Sequence, residues 1–97
     1  MLTKETIYEA LKTVIDPEVG FDIVNLGLIY DARIEGTHVE VDMTLSTRGC
    51  PLHELLKQWA KEAVEKLPEV LTCNINIVWE PAWNITMASK EVKKALA

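Results

Sequence analysis

The sequence predicts an α+β fold, a two-layer sandwich with helices on one face of a small three-stranded mixed sheet. Three observations predict it. Apolar residues recur at helical spacing in some segments and at every second position in others, in the order α-β-β-α-β-α. Each alternating segment keeps one polar face, so helices need to cover only one side of the sheet. The chain has 97 residues, enough for one core and a single domain spanning 1–97, and too few for a two-domain enzyme with a cleft.

The elements follow in order. Ile7, Ala10, Leu11, Val14 and Ile15 share one helical face, and Thr3 suits the N-cap, which predicts a first helix over about 3–15. Asp16-Pro17 ends it, because the residue before a proline is pushed out of the helical region. Residues 16–27 then connect, closed by Gly27. Leu28, Tyr30, Ala32 and Ile34 alternate with polar residues, as do Val39, Val41, Met43 and Leu45, around the turn Glu35-Gly36-Thr37. That pattern is an antiparallel hairpin.

Pro51 fits the first position of a helix, and Leu52, Leu55, Leu56, Trp59, Ala60, Ala63, Val64 and Leu67 form an apolar stripe, so helix two covers about 51–67. Cys73, Ile75, Ile77 and Trp79 alternate in a third strand. Its crossover from strand two should be right-handed, which makes the two strands parallel. A short last helix, about 88–96, packs through Val92, Ala95 and Leu96.

Composition narrows function. Fifteen acidic against ten basic residues give a net charge of −5, which repels phosphate backbones. The α-β-β-α order is like that of a KH module, but the chain lacks its Gly-x-x-Gly loop. Two cysteines cannot frame a secreted disulfide domain. No apolar run is long enough for a membrane span, and neither a signal core nor a lipidation signal is visible. The expected setting is the reducing cytoplasm.

Cys50 is the most informative residue. It lies between the end of strand two and the first turn of helix two, in Gly49-Cys50-Pro51. The positive end of a helix dipole favours a thiolate there, suited to metal ligation or sulfur chemistry. Cys73, on the apolar face of strand three, belongs to the core. His53 follows Cys50 by three residues, which could pair two metal ligands, although an exposed histidine beside the stripe needs no role. Asp16 and Glu18 flank Pro17 in a fixed kink. They could hold a cation or accept a proton from a thiol, or simply be solvated acids at a helix end. Ser46 and Thr47 offer hydroxyls near Cys50, or are ordinary strand-end residues. His38 is given no role. Trp59 and Trp79 fall on core stripes, while Trp83, two residues past Pro81, either lids a site or plugs the core edge. Lys90, Lys93 and Lys94 read as a solvated helix face.

Asp16-Pro17-Glu18, then Ile23-Val24-Asn25-Leu26-Gly27-Leu28-Ile29-Tyr30, then Met43-Thr44-Leu45-Ser46-Thr47-Arg48-Gly49-Cys50-Pro51 resemble the PaaD-like and SufT-type iron–sulfur cluster assembly domain. Trp79-Glu80-Pro81-Ala82-Trp83 and the stretch from Met87 to Leu96 also fit, so the resemblance covers nearly the whole chain in order. It implies the fold of an iron–sulfur assembly domain. It also implies that Cys50 is the reactive residue, with Asp16, Glu18 and Thr47 lining its pocket. Arg48 stands where a proline is common, and would bring positive charge to Cys50. Asn25 stands where an acid is common.

The expected function is therefore a non-enzymatic auxiliary factor in the maturation of iron–sulfur proteins. Cys50 would hold iron, a labile iron–sulfur cluster or a client protein. One functional thiolate cannot fill a four-thiolate cluster site, so a homodimer, a client's cysteines or a small thiol would have to complete it. The expected partners are the iron–sulfur assembly machinery and client apoproteins, with no nucleic acid and no membrane. One alternative is a cysteine-dependent thiol-transfer enzyme, which lacks a Cys-x-x-Cys pair and a clearly placed base. Another, suggested by the resemblance, is an accessory subunit of a phenylacetate-type aromatic-ring oxygenase system.

Overall fold

Thr3 sits in extended backbone and its hydroxyl accepts the Thr6 amide at 3.2 Å, capping α1 (Lys4–Leu11). In a computed structural model, residues 2–17, 19–45 and 53–96 are described, the side chains of His53 and Leu96 excepted. Helix α1 buries Ile7 and Leu11, and stops four residues short of the expected end. Thr13 turns its hydroxyl onto the Ala10 carbonyl at 2.7 Å, and β-branched Val14 and Ile15 follow, which favour extended backbone. Ile15–Asp16 instead form β1, paired antiparallel with β2 (Phe21–Asp22). Val14 is buried as expected, but Ile15 is 46% exposed rather than in the core. The 16–27 connection thus carries a small two-stranded ribbon.

The main sheet is built from β3 (Ile29–Glu35), β4 (His38–Met43) and β5 (Thr72–Ile77), in the order β3-β4-β5. Strands β3 and β4 are antiparallel, with Ala32 opposite Val41 and Ile34 opposite Val39. Strands β4 and β5 are parallel, joined through α2 (His53–Glu65). A 3-10 turn (Ile85–Met87) leads into α3 (Lys90–Leu96). The predicted α+β sandwich and mixed sheet are therefore present.

The register explains the two faces. Ala32, Val39, Val41, Met43, Cys73 and Ile75 point to the helix side and are buried with Ile7 and Leu11 of α1, Leu56, Ala60 and Val64 of α2, and Val92 of α3. Trp59, Trp79 and Trp83 pack against this core only partly buried. The other face is a polar lattice. Arg33 makes two bonds to the Asp42 carboxylate, at 2.7 and 3.0 Å, and Lys4 reaches Asp31 at 3.0 Å. Glu40 accepts from Asn76 at 2.9 Å, from Asn74 at 3.1 Å and from the His38 ring. These bonds, Asn76 first, hold its carboxyl down to about 2. His38 is thus a structural member of this lattice, its other ring nitrogen 2.6 Å from the Thr72 hydroxyl.

The C-terminal segment straps back over the 22–28 loop. Trp83 donates to the Leu26 carbonyl at 2.7 Å, Ser89 donates its amide to the Asn25 carbonyl at 2.7 Å, and the Tyr30 hydroxyl donates to the Pro81 carbonyl at 2.8 Å. Trp83 therefore plugs the edge of the core.

Candidate functional site

The Asp16 segment is held by its own turn. The Asp16 carbonyl accepts the Gly20 amide at 2.8 Å and the Val19 amide at 3.3 Å, and Gly20 takes a positive φ of 77° that a side chain would resist. Asp16 itself is only 8% exposed, an unusual place for a carboxylate and one that a solvated helix terminator would not occupy. Among the described residues, Asp16 and Thr44 are the buried polar side chains.

Asp22 organises the next turn. Its carboxylate accepts the Asn25 amide at 2.9 Å and the Asn25 side-chain N–H at 2.6 Å. Asn25, the departure from an acid common at that position, therefore serves here as a donor. An ionised acid could not donate to Asp22.

A run of main-chain hydrogen bonds joins this segment to the end of β4. Ile23 donates to Val14 at 3.0 Å, Leu28 to Ile23 at 3.0 Å, and Thr44 to Leu28 at 2.7 Å. On the other side Val78 donates to Met43 at 2.9 Å. The chain thus leaves the end of the central strand from a fixed point, with Leu45 buried, and is next described as α2 from His53. Cys50, Thr47, Arg48, Ser46 and Glu18 lie outside the described residues, as does the side chain of His53. Of the predicted pocket, Asp16 is the residue whose surroundings are described.

Thr44 is a residue that sequence patterns do not single out. It is fully buried, and its hydroxyl is the one buried side-chain oxygen or nitrogen among the described residues that lacks a hydrogen-bond partner. In the sequence it falls on the polar side of the Val39-to-Leu45 alternation, an expectation that its burial overturns. An unmade hydrogen bond of this kind costs about 1–3 kcal/mol. Thr44→Val keeps the shape and removes that cost, so it is expected to raise stability by about 1 kcal/mol, or roughly 4–8 °C in melting temperature for a chain of this size. Urea unfolding checks it; a loss of stability would mean that the hydroxyl is engaged.

Cys73 is 3% exposed. Burial, and secondly the nearby Glu65 carboxylate, push its thiol up to about 11. A thiol held protonated is a poor metal ligand or nucleophile, which fits the core role read from its strand position. Among the described residues no three His, Cys, Asp or Glu side chains cluster as a metal site.

Fold and sequence together place the chain among the iron–sulfur cluster assembly domains. Residues 4–77 match the family described as iron–sulfur cluster assembly protein, and the chain belongs to it. It is 45% identical over 94 residues to the Fe-S protein maturation auxiliary factor YitW of Bacillus subtilis (strain 168), a match covering 96% of this chain and 92% of that one. It is 44% identical over 84 residues to the Fe-S protein maturation auxiliary factor SufT of Staphylococcus aureus (strain USA300), covering 86% and 96%. Among solved structures it resembles a domain of unknown function, DUF59, from Bacillus anthracis, with a TM-score of 0.90 and 38% identity over 96% of this chain and 90% of that one.

Proposed function

We propose that this protein is an auxiliary factor in the maturation of iron–sulfur proteins. One observation carries the reading: 45% identity, over 96% of this chain and 92% of the other, with a protein named for that role. The Cys50 segment leaves the β4 end, where Met43 and Thr44 are fixed by main-chain bonds, and precedes α2 by only a few residues. A thiol just ahead of a helix N-terminus is drawn toward thiolate, and Arg48 adds positive charge beside it. In this reading Thr47, three residues before Cys50 in the sequence, offers a hydroxyl as well. Asp16 and Glu18 supply hard oxygen donors suited to ferrous iron rather than to a sulfur-rich cluster.

Iron or a labile cluster is the cargo in this reading, held weakly by Cys50 and handed on. One thiolate leaves room for a client's cysteines, or for a second copy of the chain, to complete the coordination. The partners are the assembly machinery and client apoproteins, and a net charge of −5 suits docking to basic patches on them. The role is a binding one rather than an enzymatic one. A dithiol exchange cycle would need a resolving cysteine, and Cys73 is buried with its thiol pushed up. No helix among the described residues is long and apolar enough to cross a membrane, in keeping with work in the cytoplasm.

The test is complementation. A strain lacking this protein should regain iron–sulfur enzyme activities with the native chain and little or none with Cys50→Ser. A pull-down from reducing lysate should capture partners with the native chain and lose them with the variant. Full rescue by Cys50→Ser would remove Cys50 from the mechanism. No rescue by the native chain would remove the function itself.

A further inference from the structure

Strand β5 lies at the edge of the sheet, and among the described residues it pairs with β4 alone. Its hydrogen-bonding parity is fixed by Val78, which donates to Met43 of β4 at 2.9 Å. Successive residues of a strand point their main-chain groups to opposite sides. Cys73, Ile75 and Ile77 therefore present theirs to the free edge. Such a row is a template for another strand.

The sequence does little to blunt it. Thr72-Cys73-Asn74-Ile75-Asn76-Ile77 contains no charge and no proline, and its last four residues alternate asparagine with isoleucine. In antiparallel self-pairing no like charges would face each other. Along the edge runs a groove of about 860 Å³ walled by α2, with Lys57 and Lys61 as well as Glu54, Glu62 and Glu65 on it.

One contact interrupts the template. The Glu65 carboxylate, from the last turn of α2, accepts the Cys73 amide at 3.0 Å, where the carbonyl of an added strand would sit. Lys61, one turn earlier, holds the same oxygen at 2.8 Å. Neither residue is among those assigned to the Cys50 site.

We infer that Glu65, steadied by Lys61, guards the free edge of β5 against strand addition by a second copy of this chain. The carboxylate satisfies the first outward amide and fills the place of an incoming carbonyl. It also lays a charge across the end of an otherwise uncharged edge.

The test reads the edge directly. In the native chain, amide exchange by NMR should find the Cys73 amide slower than that of Ile77, and sedimentation should find no association through β5. Glu65→Ala should speed Cys73 exchange about fivefold or more, the worth of one lost hydrogen bond, and should promote self-association. Adding Asn74→Lys to Glu65→Ala should abolish that association by charging the edge. Glu65→Gln, whose amide oxygen can still accept, should keep Cys73 exchange near native. Lys61→Met, which leaves Glu65 in place but unsteadied, should fall between. These readouts do not involve Cys50, and Cys50→Ser should leave them all unchanged. Native Cys73 exchanging as fast as Ile77 would overturn the inference, even if Glu65→Ala does not fold. So would a Glu65→Ala chain that stays monomeric, an association indifferent to Asn74→Lys, or a native chain already paired through β5.

Discussion

Gly27→Ala is expected to be among the most damaging single substitutions in the chain. Gly27 has a φ of 79°, and a Cβ there would lie 2.3 Å from the carbonyl oxygen of Met87 and 2.7 Å from its carbonyl carbon. The left-handed backbone alone costs an alanine about 1–2 kcal/mol. The collision adds about 1–3 kcal/mol, because the opposing atoms are backbone and have no rotamer to escape into. Relief requires the strap to move, which strains the bonds from Trp83 to Leu26 and from Ser89 to Asn25, and the burial of Ala88 and Val92. Gly36 is the internal control, with a φ of 63° and nothing within 4 Å of the place a methyl would take. Gly36→Ala should lose only the conformational cost, about 1–2 kcal/mol. Urea unfolding of both variants decides it. Equal losses would mean that the approach of Met87 to Gly27 has no energetic consequence.

The same contact shows what sequence patterns carry and what they miss. Two-residue alternation in Val39, Val41 and Met43, and Leu56, Ala60 and Val64 of the predicted stripe, state which face is buried, and all six are buried, whereas Leu55 of that stripe and Ala95 of the last helix are exposed. Those patterns arise from burial, so they can be read back into it. The end of α1 differs from the sequence expectation because Val14 and Ile15 continue the helical spacing while β-branching and the Thr13 hydroxyl favour leaving the helix. Periodicity alone cannot weigh that competition. The strap is half legible: Trp83 stands out as a residue type, but its acceptor, the Leu26 carbonyl, lies 57 residues away and leaves no local signal. In the candidate site, the Asp16 motif is visible in the sequence and its burial is not. A carboxylate shielded by tertiary packing has the same sequence signature as one in water. Thr44 likewise lies inside the recognised motif without a mark of its own, since only three-dimensional packing leaves its hydroxyl alone.

The two cysteines should separate sharply by reactivity. With its thiol near 11, Cys73 is ionised in roughly one molecule in ten thousand at pH 7, and its side chain is also buried. A thiol at the ordinary value of about 8.5 is ionised to a few per cent, and one ahead of a helix N-terminus more so. Cys50 should therefore alkylate at least about a hundredfold faster than Cys73 in the native chain. Iodoacetamide labelling at neutral pH, followed by peptide mass spectrometry, should find Cys50 modified and Cys73 modified only after urea unfolding. The pH dependence has a definite sign. Because folding raises the Cys73 thiol from 9.0 to about 11, its contribution to stability is present below 9.0 and is lost as pH rises through about 11. Cys73→Ala should remove that alkaline slope while costing stability at neutral pH through the lost core contact. Cys50→Ala should leave both nearly unchanged. Comparable native labelling of the two thiols would undo the assignment of Cys73 to the core and of Cys50 to the chemistry, because it would mean that neither burial nor the helix terminus distinguishes them.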